Sequence, residues 1–161
     1  MKEVTIVFPL NHATGEILLA MKKVRFGAGK YNGMGGKIET GETVRDAALR
    51  EAFEEVGITI DASDLIAAAD ITFDFPDNHE WDHHCYVYIT GAWKGDPQES
   101  DEMTPESFKI DSLPLDRMWV SDRLWLPLVL ARTKLKGTVT LSSDGKTVIN
   151  SDLQEVEVLS F

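Results

Sequence analysis

The sequence predicts an α+β fold in a single domain spanning residues 1–161. Three observations carry that prediction. Short segments of alternating apolar residues recur along the chain, as half-buried strands require. Two segments of helical character lie among them, and one has start and stop signals at its ends. No repeat, low-complexity tract or linker divides the chain, and 43% hydrophobic with 27% charged residues is the balance of a folded domain.

Residues 4–10 and 16–23 predict two strands joined by a turn at "NHATG". The first is a strand rather than a signal peptide, since no small-residue cleavage site follows it. "FGAGKYNGMGGK" then packs five glycines into twelve residues. Such a stretch predicts a loop with unusual torsions, or one that something approaches closely. Thr43 begins a helix: it stands at capping-box spacing from Asp46, and Gly57 supplies the stop. Residues 65–75 alternate, which places Leu65, Ala67, Ala69, Ile71, Phe73 and Phe75 on one face of a strand. A further strand covers 83–93, and "SFKI" predicts a short one. "SDRLWLPLVLARTKLKG", 121–137, predicts a second helix, with Pro127 near its start or at a kink. "TVTLSSDGKTVIN" predicts a hairpin around Asp144 and Gly145.

The net charge is −11. That surface repels the backbone of polymeric nucleic acid, whose binding rests on Lys and Arg. It leaves room for a small anion in a local pocket, above all where a metal supplies positive charge. No apolar run approaches the ~20 residues that cross a bilayer, so no membrane partner is expected. Cys85 is the only cysteine, which excludes an intramolecular disulfide and fits a reducing, cytoplasmic setting. His83 and His84 are adjacent and point to opposite faces of a strand, so "HEWDHHC" is a poor zinc site; a strand-edge or pocket-wall role fits better.

"REAFEEVG", residues 50–57, crowds three glutamates into two helical turns. Like charges three and four apart cost about 0.2–0.5 kcal/mol per pair. On a wheel, Leu49, Ala52, Phe53 and Val56 fall on one arc, with Glu51, Glu54 and Glu55 roughly opposite. The apolar arc is expected to dock on the sheet. Arg50, one turn before Glu54, is placed to orient it. A solvated acidic face is the bland account of such a run. The glycine loop just upstream favours another: clustered carboxylates beside a tight loop suit a hard divalent cation such as Mg²⁺.

Residues 36–58, "GKIETGETVRDAALREAFEEVGI", resemble the Nudix box. Gly36, Glu42, Arg50, Glu51, Glu54, Glu55 and Gly57 fall in register with it. Ala52 departs, standing where the pattern prefers a larger aliphatic, which concerns packing. "FGAGKYNGMGGK", "ESDEM", "MWVSDRLWLPLVL" and the C-terminal hairpin extend the resemblance to the oxidised-purine nucleoside triphosphatases. The resemblance implies an α/β/α sandwich with a mixed central sheet. It implies Mg²⁺-dependent hydrolysis of 8-oxo-dGTP and related nucleotides to monophosphate and pyrophosphate, with Mn²⁺ as a substitute cation. That activity cleans the nucleotide pool, with a small nucleotide as partner and a monomer or small homo-oligomer as the state. The alternatives are Nudix chemistry on another nucleoside diphosphate derivative, such as an NTP or ADP-ribose, and a non-catalytic nucleotide sensor.

Carried over by position, the resemblance nominates Glu51, Glu54, Glu55, Glu102 and the Gly35 carbonyl as metal ligands, with Arg50 holding the cluster. It leaves open which carboxylate deprotonates the attacking water. For the substrate it nominates Thr5, Lys22, Phe26, Asn32, Gly35, Gly36, Trp119 and Asp122. Asn32 offers a donor and an acceptor to a purine edge. Trp119 and Phe26 offer stacking surfaces, although Phe26 suits core packing equally well. Ser121 stands where the mammalian relatives carry the first of two adjacent aspartates. With one carboxylate, Asp122 is expected to be more often ionised, which favours oxidised guanine over oxidised adenine.

Overall fold

The computed structural model describes residues 1–161. Nine strands run β1 (Lys2–Asn11), β2 (Glu16–Lys22), β3 (Tyr31–Asn32), β4 (Met34–Lys37), β5 (Leu65–Asp74), β6 (His83–Thr90), β7 (Met103–Lys109), β8 (Leu135–Leu141) and β9 (Val148–Glu155). Two α-helices interrupt them, α1 (Val44–Val56) and α2 (Asp122–Leu130). The sheet order is β3-β2-β1-β6-β5-β8-β9, with β4 also on β1 and β7 also on β2. The β1–β6 and β5–β8 pairs are parallel and the others antiparallel, so the sheet is mixed.

Both faces of the sheet are covered, which explains why residues 5–10 are buried without a break and apolar from Ile6 onward. Alternate side chains of β1 serve opposite layers. Ile6, Phe8 and Leu10 join a core with Trp125, Leu126 and Val129 of α2. Val7 joins a second core with Ala48, Ala52 and Val56 of α1. The result is an α/β/α sandwich of the expected kind.

α1 keeps its predicted ends. The Thr43 hydroxyl accepts from the Asp46 amide at 3.0 Å, and Gly57 closes the helix at φ +76°. Its docked face differs from the wheel. Phe53 is exposed, while Glu55 is buried beside Ala48, Ala52 and Val56. The helix presents its small residues to β4, so its axis comes close and no room remains for a phenyl ring. Ala52 is fully buried in that seam. Helix and strand are also joined directly, by Glu55 accepting from the Gly35 amide at 2.8 Å.

Other expectations shift as well. The glycine-rich stretch is half strand, for β3 and β4 occupy its second part. β4 lies antiparallel to β1, with Gly36 opposite Thr5, and a Cβ on Gly35 would collide with the Thr5 carbonyl. The alternation in β5 breaks at a bulge between Ala67 and Ala69. The extra residue puts Leu65 and Ala67 with the α1 core, while Ala69, Ile71, Phe73 and Phe75 serve the α2 core. α2 ends at Leu130, well short of 137: the chain turns through Arg132 at φ +70° and enters β8. Pro127 sits inside α2, past its first turn. The strand predicted at 83–93 stops at Thr90, and "SFKI" is the end of the longer β7.

Candidate active site

The acidic end of the molecule is built by α1, β4 and the loop before β7. Glu51, Glu54, Glu55 and Glu102, with Ser100 and Asp101, line a cleft of about 210 Å³ that holds no hydrophobic residue. Thus Glu102, 47 positions beyond Glu55, is brought to the same cleft as the helical glutamates. Arg50 braces them from beneath. Its Nε and Nη2 donate to both oxygens of Glu42, at 3.0 and 2.6 Å. Its Nη1 donates to Glu51 at 2.9 Å and Glu54 at 3.1 Å, and Nη2 also reaches the Lys37 carbonyl at 3.0 Å. This fork holds Glu42 below its ordinary pKa. A Cβ on Gly36 would land on the Glu51 carboxylate, so only glycine leaves Glu51 its place.

Burial pushes the Glu51 carboxyl up against the opposing pull of Arg50. Burial also pushes Glu55 up to about 8, with the Gly35 amide and Lys22 acting against it and the Glu51 charge adding to it. Four carboxylates gathered in one cleft, two of them where burial disfavours their charge, make a donor set matched to a hard cation. The fork geometry makes Arg50 irreplaceable by a point charge. Arg50→Lys is expected to cost about 1–3 kcal/mol of stability through the lost fork on Glu42, which keeps only the Glu39 amide, and to lower turnover severalfold. Thermal melts and initial rates check this; unchanged values would remove Arg50 from its bracing role.

A second cleft, of about 550 Å³, lies toward α2. Phe26, Trp81 and Trp119 form its aromatic wall, with Arg25, Lys30 and Gly145 among the rest. Phe26 stacks on Trp119 at 4.9 Å between centroids and meets Trp81 edge-on at 4.7 Å. Lys30 sits 5.3 Å from the Trp119 ring. Asp122, just beyond Trp119, is only 3% exposed, and its Oδ2 has no hydrogen-bond partner in the protein. An orphaned buried acceptor costs about 1–3 kcal/mol, which marks it as a group kept for something other than stability. Burial pushes the Asp122 carboxyl up to about 7, against the Trp119 backbone and Lys30. Burial alone thus raises the Asp122 carboxyl, without a second aspartate at position 121.

The nominated residues divide between these places. Thr5, Lys22, Asn32, Gly35, Gly36 and Asp122 line neither cleft. Thr5 is buried, its hydroxyl donating to the Tyr86 carbonyl at 3.4 Å. Asn32 Oδ1 accepts from the Gly33 amide at 2.9 Å. Lys22 acts at the acidic end, through its charge on Glu55. Trp81 and Trp125 escaped the sequence reading. Trp81 gave no signal beyond its aromaticity. Trp125 lies one helical turn after Asp122, and its buried Nε1 also lacks a partner. His83 stacks on Phe73 at 5.0 Å, whereas His84 faces Asp70 and Glu3, so the two histidines do serve opposite faces. Asp74, His79 and Asp82 approach one another within 4.8 Å at the β5–β6 connection. There His79 pairs with Asp82 at 2.7 Å, and Asp82 accepts from the Phe75 amide at 2.7 Å. Those contacts are the loop's own clasp.

The family model for the NUDIX domain matches residues 1–129. The chain belongs to the Nudix family. Relatives within it include the oxidized purine nucleoside triphosphate hydrolase of Danio rerio, 42% identical over 146 residues and 90% of each chain. The Mus musculus protein of the same name is 39% identical over 142 residues, 88% of each chain. Among solved structures, a MutT protein from Bacillus halodurans superposes with a TM-score of 0.79 at 23% identity, covering 95% of this chain and 97% of its own. That likeness establishes the Nudix fold. No helix of the chain is long and apolar enough to cross a membrane.

Proposed function

We propose that this Nudix enzyme hydrolyses oxidised purine nucleoside triphosphates, 8-oxo-dGTP and its relatives, to the monophosphate and pyrophosphate. The observation that carries this reading is the pairing of a carboxylate cleft with an aromatic cleft, beside which the buried carboxyl of Asp122 lies unpartnered. The vertebrate relatives named for that activity support it over nearly the whole chain. Residues 1–161 act as one Nudix domain.

Glu51, Glu54, Glu55 and Glu102 are assigned to hold Mg²⁺, with the Gly35 carbonyl beside them; Mn²⁺ suits the same oxygen set. Such a cation supplies charge neutralisation at phosphorus and a more acidic water. The chain's own part is positional. Arg50 keeps Glu51 and Glu54 from turning away. Gly35 fixes Glu55 through its amide, and Gly36 leaves Glu51 its space. A carboxylate of this cleft takes the proton of the attacking water. Lys22 lies where its charge meets phosphate. At the other cleft, Trp119 and Phe26 wall the base, and Asp122 and Asn32, which stand outside the cleft lining, are assigned to its polar edge. Thr5 acts from behind β4 by seating Gly36. The protein works as a soluble cytoplasmic catalyst, alone or as a small homo-oligomer, on a nucleotide rather than on polymeric nucleic acid.

A panel of nucleotides assayed for released pyrophosphate and orthophosphate, with Mg²⁺ and then with chelator, tests this function. The expected result is chelator-sensitive release of pyrophosphate, fastest from 8-oxo-dGTP. Release of orthophosphate with a diphosphate product would overturn the bond assignment. Faster turnover of ADP-ribose or unmodified nucleotides would overturn the substrate, and binding without turnover would make the domain a sensor.

A further inference from the structure

Arg25 joins the two clefts. Its side chain lines the aromatic cleft, and its Nη1 lies 3.6 Å from Oε1 of Glu102, which lines the carboxylate cleft. No other residue has both connections among the ion pairs of the molecule. Arg25 is also one of two non-glycine residues with positive φ, at +65°. L side chains rarely adopt that conformation, and where they do, the strain points to a use for the side chain.

The surroundings say what that use is. The segment that carries Arg25 is strapped to the Glu102 loop by its neighbour Lys23. The Lys23 amide donates to the Glu102 carbonyl at 2.8 Å, and Lys23 Nζ reaches the Ser100 carbonyl at 2.7 Å and Glu99 at 2.8 Å. Lys23 is therefore committed. Arg25 is not: its one pair is long, and its side chain is 77% exposed. An exposed pair of that kind contributes little and is easily exchanged. The aromatic cleft carries Arg25, Lys30, Arg123 and Lys146 against Asp116 and Asp144, four cations to two anions on a chain of net charge −11. A local positive wall on an acidic protein gathers anions.

We propose that Arg25 is a polyphosphate-binding residue, held by Glu102 in the free protein and handed to the phosphate chain of the nucleotide when Glu102 turns to the metal cleft. A base in the aromatic cleft and a phosphorus at the carboxylates require the phosphate chain to pass between the two clefts, where Arg25 stands. A guanidinium offers a planar fork of donors that matches phosphate oxygens. The inference rests on the proposed function for the identity of the nucleotide. The exposed, loosely paired guanidinium and the cationic wall around it stand independently of that reading.

Arg25→Gly is the direct test, since glycine accepts the left-handed backbone and leaves the loop its shape. Arg25→Lys retains charge without the fork. Calorimetric titration with inorganic tripolyphosphate in Mg²⁺ reads the contact without any base. Affinity is expected to fall about tenfold in Arg25→Gly and less in Arg25→Lys. For 8-oxo-dGTP, KM is expected to rise by a similar factor, with a smaller change in kcat. Affinity for 8-oxo-dGMP is expected to fall far less than that for tripolyphosphate. Tripolyphosphate affinity within twofold of the unmodified protein in Arg25→Gly would overturn the proposal. So would equal losses for 8-oxo-dGMP and tripolyphosphate, which would signal a change of loop shape. Failure to hydrolyse 8-oxo-dGTP, with tripolyphosphate affinity still lost in Arg25→Gly, would sink the substrate assignment and leave the role of Arg25 standing.

Discussion

Glu51→Gln and Glu55→Gln are each expected to lower turnover by at least about two orders of magnitude, as loss of a metal ligand or of acid–base function does. Both changes keep the shape of the side chain. The amide oxygen of a glutamine at 55 can still accept from Gly35, and one at 51 can still accept from Arg50. The fold is therefore expected to survive. In the free protein Glu55→Gln is expected to be stabilising, because burial opposes the charge of the native carboxyl. Loss of activity together with retained or raised thermal stability is the signature. Near-normal turnover of both variants at saturating Mg²⁺ would remove the cleft from the mechanism. A collapse of stability in both would mean that the glutamates serve the fold.

Base selectivity is expected to change about 100-fold between pH 6 and pH 8. An oxidised guanine presents an N1–H and an amine, which an ionised Asp122 accepts. An adenine-type edge presents an acceptor at N1, which only the protonated carboxyl can meet. With Asp122 raised to about 7, its ionised-to-protonated ratio rises tenfold per pH unit through this window. The ratio of kcat/KM for 8-oxo-dGTP over 2-hydroxy-dATP should rise with it, since kcat/KM reports the free enzyme's ionisations. Ser121→Asp places a second carboxylate beside the first, raises one of the pair further and keeps 2-hydroxy-dATP competitive to higher pH. A ratio indifferent to pH, or to Ser121→Asp, would separate Asp122 from base choice. The same group leaves a mark on stability. Its folded value lies above the ordinary 3.8, so the unfolded chain releases the proton first. Its contribution is thus full below about pH 4 and is lost as pH rises toward about 7. Asp122→Asn flattens that part of the profile.

How much of this was legible in the sequence differs between the two clefts. The carboxylate cleft was mostly legible, because Arg50, Glu51, Glu54 and Glu55 share one helix whose caps at Thr43 and Gly57 are local signals. Only the docked face of α1 was misplaced. Hydrophobicity put Phe53 inside and Glu55 outside, whereas close packing on glycine-bearing β4 excludes a ring and the Gly35 amide admits a carboxylate. The aromatic cleft was half legible. Phe26, Trp119 and Asp122 came from resemblance, but Trp81 arrives from the β5–β6 connection by tertiary folding alone. The bulge at Ala68 and the early end of α2 also had no local marker, for Ala68 continues an apolar run and 131–137 has ordinary helix formers. The burial that raises the Asp122 carboxyl had no marker in the sequence either.

The three aromatic rings of the second cleft belong to three separate connections, whereas the seam beneath the carboxylates is made of alanine and glycine. These two constructions respond differently to mutation over generations. A seam with no spare volume admits almost no change, so the chemistry is pinned. Rings on independent loops can be exchanged singly, each re-cutting one wall of the cleft while the glutamates stay where they are. Descendants of such a chain are free to drift from one base to another without passing through an inactive ancestor.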